Sequence, residues 1–578
     1  MTKKDYFFNR INSRTYITVA FALLLLFLAV TNYWVLSKDK IPPLHDANVC
    51  YSSSCEYYKY FAQGFQFDHL KRFFVHINFY PPLYMLIPTS FYHFTGPNYH
   101  VMAMVNIFYL FLLIYSIYKL GNFILGRPSG LLAAIVLLAF PSIIGFSRIT
   151  HINIALTAIV TINIYTLLKS DSFNNRQFSI VAGIIAGLGC WFSSKYMIYF
   201  IFPAAICLLY SIFSRESRLE AFKKSKIINR MFFLGTAIFI SVPYYVPAIM
   251  HRIQPESAII YRAASLDILG IVTNFNMHQF FSHIFKYIGF LRPLILTPNF
   301  ALFVLSLIIV MPTSFKNRDR IILLGWFLAP FFMLSLFSGF IEAQPRFLLP
   351  VLPFIAIIIS GALLRTSKLL KLHFAKIGIL LMVALIALII GLDWTFFLKQ
   401  HPYPRSSGEL LASRTQYGLL HTVDKETPVA ELFDFLDAEA ADNDSRRIIV
   451  TVFEDDNDTA PLALELIYDK LKNARSDIRI FTPMGISIAS KLRQYGYKQN
   501  EDFIKGVFMS ADYILYIKNK RPQFTMGRPE ERLFRNNKIL KDMFFQDKDS
   551  LKLLWQSHPA PDNFFSEELL LYRFGANE

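Results

Sequence analysis

Long apolar runs separated by short charged connections fill the first two thirds of the chain, and charged residues take over after Leu392. A membrane-spanning helix needs roughly 20 mostly apolar residues. The stretches 16–36, 101–118, 129–147, 152–168, 178–194, 196–214, 231–250, 293–315, 321–341, 347–364 and 377–392 reach or approach that length. They predict about eleven spans.

Their orientation follows from the basic residues between them, since Lys and Arg are retained on the cytoplasmic side. With the N-terminus inside, Lys3, Lys4, Arg10, Arg14 and the clusters at 215–230, 316–320 and 365–376 all fall inside. The segment YPPLYMLIPTSFYHFT at 80–95 is apolar but short, and Pro81, Pro82, Pro88 and His93 interrupt it. As a span it would turn every later basic loop outward, so it reads as a helix lying at the outer interface. The neighbouring stretch 56–67 reads the same way, within a long outer loop at 37–100.

The pattern divides the chain into a membrane domain at 1–392 and a soluble, extracytoplasmic domain at 393–578. Alternation in the second predicts strands at 447–453 and 512–517, with helical patterns at 428–436 and 461–471, a small α/β layer. It contains no nucleophile elbow, phosphate loop or metal motif, so packing or acceptor binding is its expected role. No internal repeat is evident, which argues against transporters built from inverted halves.

Composition agrees with the pattern: 54% of the 578 residues are hydrophobic and 16% aromatic, with 58 Phe and 30 Tyr. Such aromatic content suits lipid-facing helices and membrane interfaces better than a nucleic-acid platform. The net charge of +17 is therefore assigned to the membrane. The first apolar run is too long for a cleaved signal and lacks a small-residue cleavage site, so it reads as an anchor. Of the four cysteines, Cys190 and Cys207 lie in apolar runs as inert buried thiols. Cys50 and Cys55 share a polar loop in which a short disulfide is allowed but not required.

Chemistry concentrates at the predicted outer ends of the spans. Asp46, in LHDANVCYSSSCEYYKYFAQG, follows the first span closely, at the depth where a lipid-linked substrate presents its headgroup. Glu56 follows on the same segment, and a solvated loop acid is the plainer reading of each. Arg148, His151 and Asn153 gather in FSRITHINIALTA, where a snorkelling Arg and a capping Asn are the ordinary explanation. Lys195, in CWFSSKYMIYF, separates two spans with almost no loop, which leaves its ammonium at the membrane surface for a lipid phosphate or for snorkelling. Arg346, in EAQPRFLLPVLP, enters a Pro-bracketed span, where a guanidinium can grip two phosphate oxygens. An acid with several cations at one membrane depth suits transfer from a sugar phosphate. The acceptor hydroxyl needs a base, and the departing phosphate needs positive charge.

At these residues the sequence resembles the C-type glycosyltransferase superfamily, in the branch of dolichyl-phosphate-mannose protein mannosyltransferases and the bacterial aminoarabinose transferase of lipid A. The likeness runs from Tyr16 to Leu364. It rests on the first-loop acid with EYYKYFAQG, then YPPLYMLIP, SRITHINIALTA, GLGCWFSSK and PRFLLPVLP, in that order. The resemblance implies an inverting transfer from a polyprenyl-phosphate sugar, with Asp46 as base and as ligand of any divalent cation. Two positions depart from the family. Asn153 stands where a second acid is usual, which removes a strong cation ligand, and His151 is the neighbour able to compensate. Phe79-Tyr80-Pro81 stands where some members place a lysine, leaving Lys71, Arg72 or His76 as substitutes.

The sequence thus predicts a polytopic α-helical inner-membrane glycosyltransferase, hexosyl or pentosyl, with a cytoplasmic N-terminus. Asp46 and Glu56 are the catalytic candidates, and Lys195, Arg346 and Arg148 the donor-phosphate candidates, with His151, Asn153 and His76 accessory. The predicted partners are a polyprenyl-phosphate sugar donor, a lipid, glycan or protein acceptor and membrane lipids, without nucleic acid. The rival expectations are a lipid-sugar flippase or transporter, which should carry charged or broken helices at mid-depth, and a non-catalytic scaffold.

Overall fold

The computed structural model describes residues 28–37, 46–62, 81–126, 129–213, 224–253, 276–310, 317–336 and 344–369 of the helical part, and 448–454, 478–481, 513–519, 542–545, 551–556 and 567–574 of the C-terminal part, besides a few isolated positions. The predicted span at 377–392, the helical pattern at 461–471 and most of that at 428–436 lie outside the described residues.

The helices follow in chain order: α1 (28–37), α2 (Asp46–Ala62), α3 (Leu83–Thr95), α4 (Tyr99–Leu125), α5 (Ser129–Leu138), α6 (Pro141–Phe146) and α7 (Asn153–Lys169). Next come α8 (Arg176–Phe192), α9 (Tyr196–Phe213), α10 (Lys224–Ile253), α11 (Met277–Ile295), α12 (Thr297–Val310) and α13 (Asn317–Leu336). A 3-10 segment (Pro345–Val351) leads into α14 (Leu352–Leu369). Among the described residues five helices are long and apolar enough to cross a membrane, and α11 with α12 would make a sixth if the bent pair is one span. The protein is a polytopic membrane protein.

The centre of the bundle is α7, which packs against α4, α8, α9 and the 3-10 segment. Nearly all of its residues are buried, the pattern of a helix enclosed on all sides. Its interior threonines satisfy their hydroxyls within the helix: Thr157 donates to the Asn153 carbonyl and Thr161 to that of Thr157, each at 2.7 Å. At the periphery, α10 exposes Met231, Ile238 and Phe239, as a lipid-facing helix does. It meets α8 through Gly183 and Gly187. A Cβ on Gly183 would run into the side chain of Thr236 and the carbonyl of Phe233, and one on Gly187 would lie 2.6 Å from Ile240 Cβ. Small residues four apart let two backbones approach closely where no hydrophobic effect drives helices together.

Two predicted spans are broken. The run 129–147 divides at Ala139–Phe140, where Phe140 is extended and Pro141 opens α6, because a proline is suited to starting a helix and not to continuing one. The run 293–315 does not start at Pro293: that residue lies inside α11, and Leu296, at φ 69°, separates α11 from α12 with a bend of 116°. The sequence reading did not anticipate α11. Near the N-terminal side, the predicted interfacial helices appear as α2, which starts ten residues before the expected position 56, and α3. The Cys50–Cys55 loop is helix, and both residues are buried and not disulfide-bonded. Five residues apart on one helix they project in different directions, so no bridge joins them.

In the C-terminal part, strands β1 (Ile448–Glu454), β2 (Ile478–Phe481), β3 (Tyr513–Asn519), β4 (Leu551–Gln556) and β5 (Glu567–Phe574) form a sheet of order β2-β1-β3-β5-β4. β1 runs parallel to β2 and β3, whereas β5 is antiparallel to β3 and β4. Both strands read from the sequence are present as β1 and β3. Phe544 packs its ring against Tyr516 and Tyr572, at centroid separations of 5.1 and 5.0 Å.

Candidate functional site

The residues between α6 and α7 form a turn clamped from two sides by asparagines of other helices. Asn32, on α1, donates to Ser147 Oγ at 3.0 Å and accepts from Arg148 Nε at 2.8 Å. Asn106, on α4, donates to the carbonyls of Ile149 and, at 3.2 Å, His151, while its own oxygen accepts from Tyr84 on α3 at 3.2 Å. The amides supply partners for carbonyls of a buried turn that is not part of a regular helix.

The turn holds three of the sequence-predicted residues below the surface. Arg148, His151 and Asn153 are all under a tenth exposed, and burial lowers the Arg148 pKa to about 10, so the group stays cationic at neutral pH. The bond from Asn32 orients that guanidinium without cancelling its charge. Asn153 is the first residue of α7, and its amide nitrogen is buried with no hydrogen-bond partner among the described residues. The hydroxyl of Tyr109 is in the same condition, on a ring whose neighbours are Tyr84 and Phe192. Orphaned buried donors are rare in finished structures and mark a place where a ligand or water completes the set.

Lys195 and Arg346 meet on one aromatic ring. Lys195 Nζ lies 4.0 Å from the centroid of Phe347 and the Arg346 guanidinium carbon 5.7 Å from it. The 3-10 segment that carries Arg346 packs along α7, and Tyr199, one turn into α9, donates to the Phe347 carbonyl at 2.7 Å. Residues about 150 positions apart are thus held as one cationic pair. Cation–π contact stabilises each charge while leaving it positive.

Asp46 is the first residue of α2 and Glu56 lies ten residues further along the same helix, a displacement of about 15 Å at the usual rise. Their side chains lie outside the described residues, as do His76, Lys71 and Arg72. α2 itself is anchored: Ser54 Oγ is 2.9 Å from the Tyr92 hydroxyl of α3, and Tyr58 packs its ring edge against Tyr92. Among the described residues no three His, Cys, Asp or Glu side chains are grouped to hold a metal ion.

Residues 80–245 match the family described as dolichyl-phosphate-mannose-protein mannosyltransferase, a stretch that runs from α3 through the turn and Lys195 into α10. The chain is similar in structure to ArnT from Cupriavidus metallidurans. The apo form gives a TM-score of 0.55 at 12% identity, covering 97% of this chain and 98% of that one. The chain has the C-type glycosyltransferase fold. ArnT bound to undecaprenyl phosphate gives a TM-score of 0.53, again at 12% identity, over 96% of this chain and 98% of that one. The apo oligosaccharyltransferase of Archaeoglobus fulgidus aligns more loosely, with a TM-score of 0.46 at 13% identity over 85% of this chain and 69% of that one. No curated protein matches the chain by sequence.

Within this fold, sequence reasoning missed Asn32, Asn106, Tyr84 and Tyr109. A signal for the two asparagines was present. Each interrupts an apolar run, in AVTNYWVL and AMVNIFYL, where a polar group is costly unless another segment satisfies it.

Proposed function

We propose that this protein transfers a sugar, with inversion, from a polyprenyl-phosphate donor to a lipid, glycan or protein acceptor at the outer face of the inner membrane. The observation that carries the reading is the convergence of Lys195 and Arg346 on Phe347, in a chain with this fold. The donor's phosphate sits against these two cations and Arg148, and its lipid tail lies between helices. Asp46 takes the proton of the acceptor hydroxyl as that oxygen bonds to the anomeric carbon. The bond from that carbon to the phosphate oxygen breaks on the opposite face, and the polyprenyl phosphate leaves with the electron pair. No proton donor is required at the leaving group, because the phosphate is stabilised as an anion by the cations. On this reading the amide of Asn153 and the hydroxyl of Tyr109, both buried without a partner among the described residues, donate to the sugar. In this reading the membrane domain, 1–392, has about eleven spans, and 393–578 form an extracytoplasmic α/β domain that faces the acceptor.

Donor turnover tests the reading. Purified protein in vesicles is given a polyprenyl-phosphate sugar labelled in the sugar, with cell-envelope lipids as acceptors. The expected result is loss of label from the donor and its appearance on an acceptor, whereas a flippase would move intact donor across the vesicle and a scaffold would do neither.

A further inference from the structure

At the end of the bundle away from Asn153 and Arg148, α4 and α7 enclose a second cationic feature. A cavity of about 180 Å³ is lined by Tyr118, Lys119, Asn122, Phe123, Tyr165 and Lys169. We propose that it binds the phosphate of an anionic phospholipid headgroup, in the membrane leaflet opposite the candidate active site.

Four observations support this. First, neither lysine forms an ion pair among the described residues. Lys169 Nζ instead lies over Phe178, Tyr165 and Phe123, at 5.0, 5.7 and 5.9 Å from the ring centroids, and Lys119 Nζ lies 5.2 Å from that of Tyr115. Rings hold an ammonium without cancelling its charge, so two like charges share one small cavity, and an anion between them relieves the repulsion.

Second, the cavity has a neutral donor. Asn122 gives its oxygen to the backbone N–H of Gly130 at 3.1 Å, and its NH2 group makes no hydrogen bond among the described residues. Third, a lysine in the last turn compensates the helix dipole, which accounts for Lys169 at the end of α7. It does not account for Lys119, six residues before the end of α4.

Fourth, the depth fits. Lys119 lies thirteen residues beyond Asn106 on α4, and Lys169 sixteen beyond Asn153 on α7. These separations are about 20 and 24 Å along the helices, against roughly 30 Å for the hydrocarbon core. Tyr118, Phe123 and Tyr165 are residue types enriched at the membrane–water boundary. The cavity is smaller than the roughly 300–1,000 Å³ of small-molecule clefts, which suits a phosphate whose lipid lies outside.

The test uses the full chain, purified in detergent, with phosphatidylglycerol and phosphatidylcholine of identical acyl chains competing for it in native mass spectrometry. Wild type should retain phosphatidylglycerol selectively. At the strength of a lysine at a membrane surface, the preference should fall about fivefold in Lys119→Gln and roughly 30-fold in Lys119→Gln/Lys169→Gln. The Lys119→Arg/Lys169→Arg protein should keep it. The single variant and the arginine pair decide the matter even if the glutamine pair does not fold. Equal preference in wild type and Lys119→Gln overturns the proposal. So does displacement of the lipid by millimolar inorganic phosphate, which would make the cavity a soluble-anion site.

Discussion

The two ends of the helical bundle handle their charges differently. At the α6–α7 turn, Arg148, His151 and Asn153 are each under a tenth exposed, and the bonds around Arg148 and the turn carbonyls come from asparagines on distant helices. At the far end, Arg318 bonds to Asp171 and, at 2.8 Å, to Asp319, and Asp171 is 59% exposed. It stands in a tight turn in which Asp171, Ser172 and Phe173 all have positive φ. At that end Arg318 is neutralised by two acids, Asp171 beside water and Asp319 buried, and the exposed member of such a set contributes little, while Lys119 and Lys169 keep their charge over aromatic rings. The α6–α7 turn keeps polar groups deep inside and orients them with neutral partners, an expensive arrangement of the kind that clusters at functional sites.

If the contrast is one of chemistry against anchoring, Asp46→Asn should show the largest effect. It removes the base while preserving size, so transfer should fall about 100-fold to 10,000-fold with donor affinity retained, while Glu56→Gln, about 15 Å further along α2, leaves the rate near wild type. Single-turnover assays on equal amounts of membrane-inserted protein measure both, and a wild-type rate for Asp46→Asn would place the base elsewhere. Next comes Arg346→Ala, for which kcat/KM should drop roughly 100-fold because the charge matters most as phosphate departs. Arg346→Lys should recover only part of it, since the two-pronged geometry is lost. Full recovery would reduce Arg346 to a simple point charge.

The remaining two predictions concern stability. Asn106→Leu strands the carbonyls of Ile149 and His151 and the hydroxyl of Tyr84, which should cost about 1–3 kcal/mol in reversible unfolding. Asp171→Asn, at the far end, should cost less than about 1 kcal/mol and leave transfer unchanged. A larger loss from Asp171→Asn than from Asn106→Leu would reverse the assignment of the two ends.

Much of the helical layout was legible because a spanning helix must be apolar over most of its length: α7, α8, α9 and α13 begin and end within a few residues of the runs that predict them, while α4 runs on to Leu125, seven residues past its run. The breaks were not. Ala139, Phe140 and Leu296 are as apolar as their neighbours, so hydropathy passes through them, and only Pro141 marks the first break. α11 was missed because His278, His283, Lys286 and Arg292 interrupt its apolar positions. In the site, Lys195 and Arg346 stood out as charges at the ends of spans. Their meeting on Phe347 depends on how α9 and the 3-10 segment pack, which no local pattern encodes. The asparagine clamps were hidden for the same reason, although their positions within apolar runs advertised them.

The bond between Tyr199 and the Phe347 carbonyl also sets an order of assembly. Lys195 is synthesised about 150 residues before Arg346, which at ordinary elongation rates is an interval of roughly 10–30 s. The segment that packs along α7 and bonds to α9 is made only after that interval. The cationic pair comes into existence only when one of the last described helical segments docks, so a chain that ends before Arg346 carries Lys195 without its cationic neighbour.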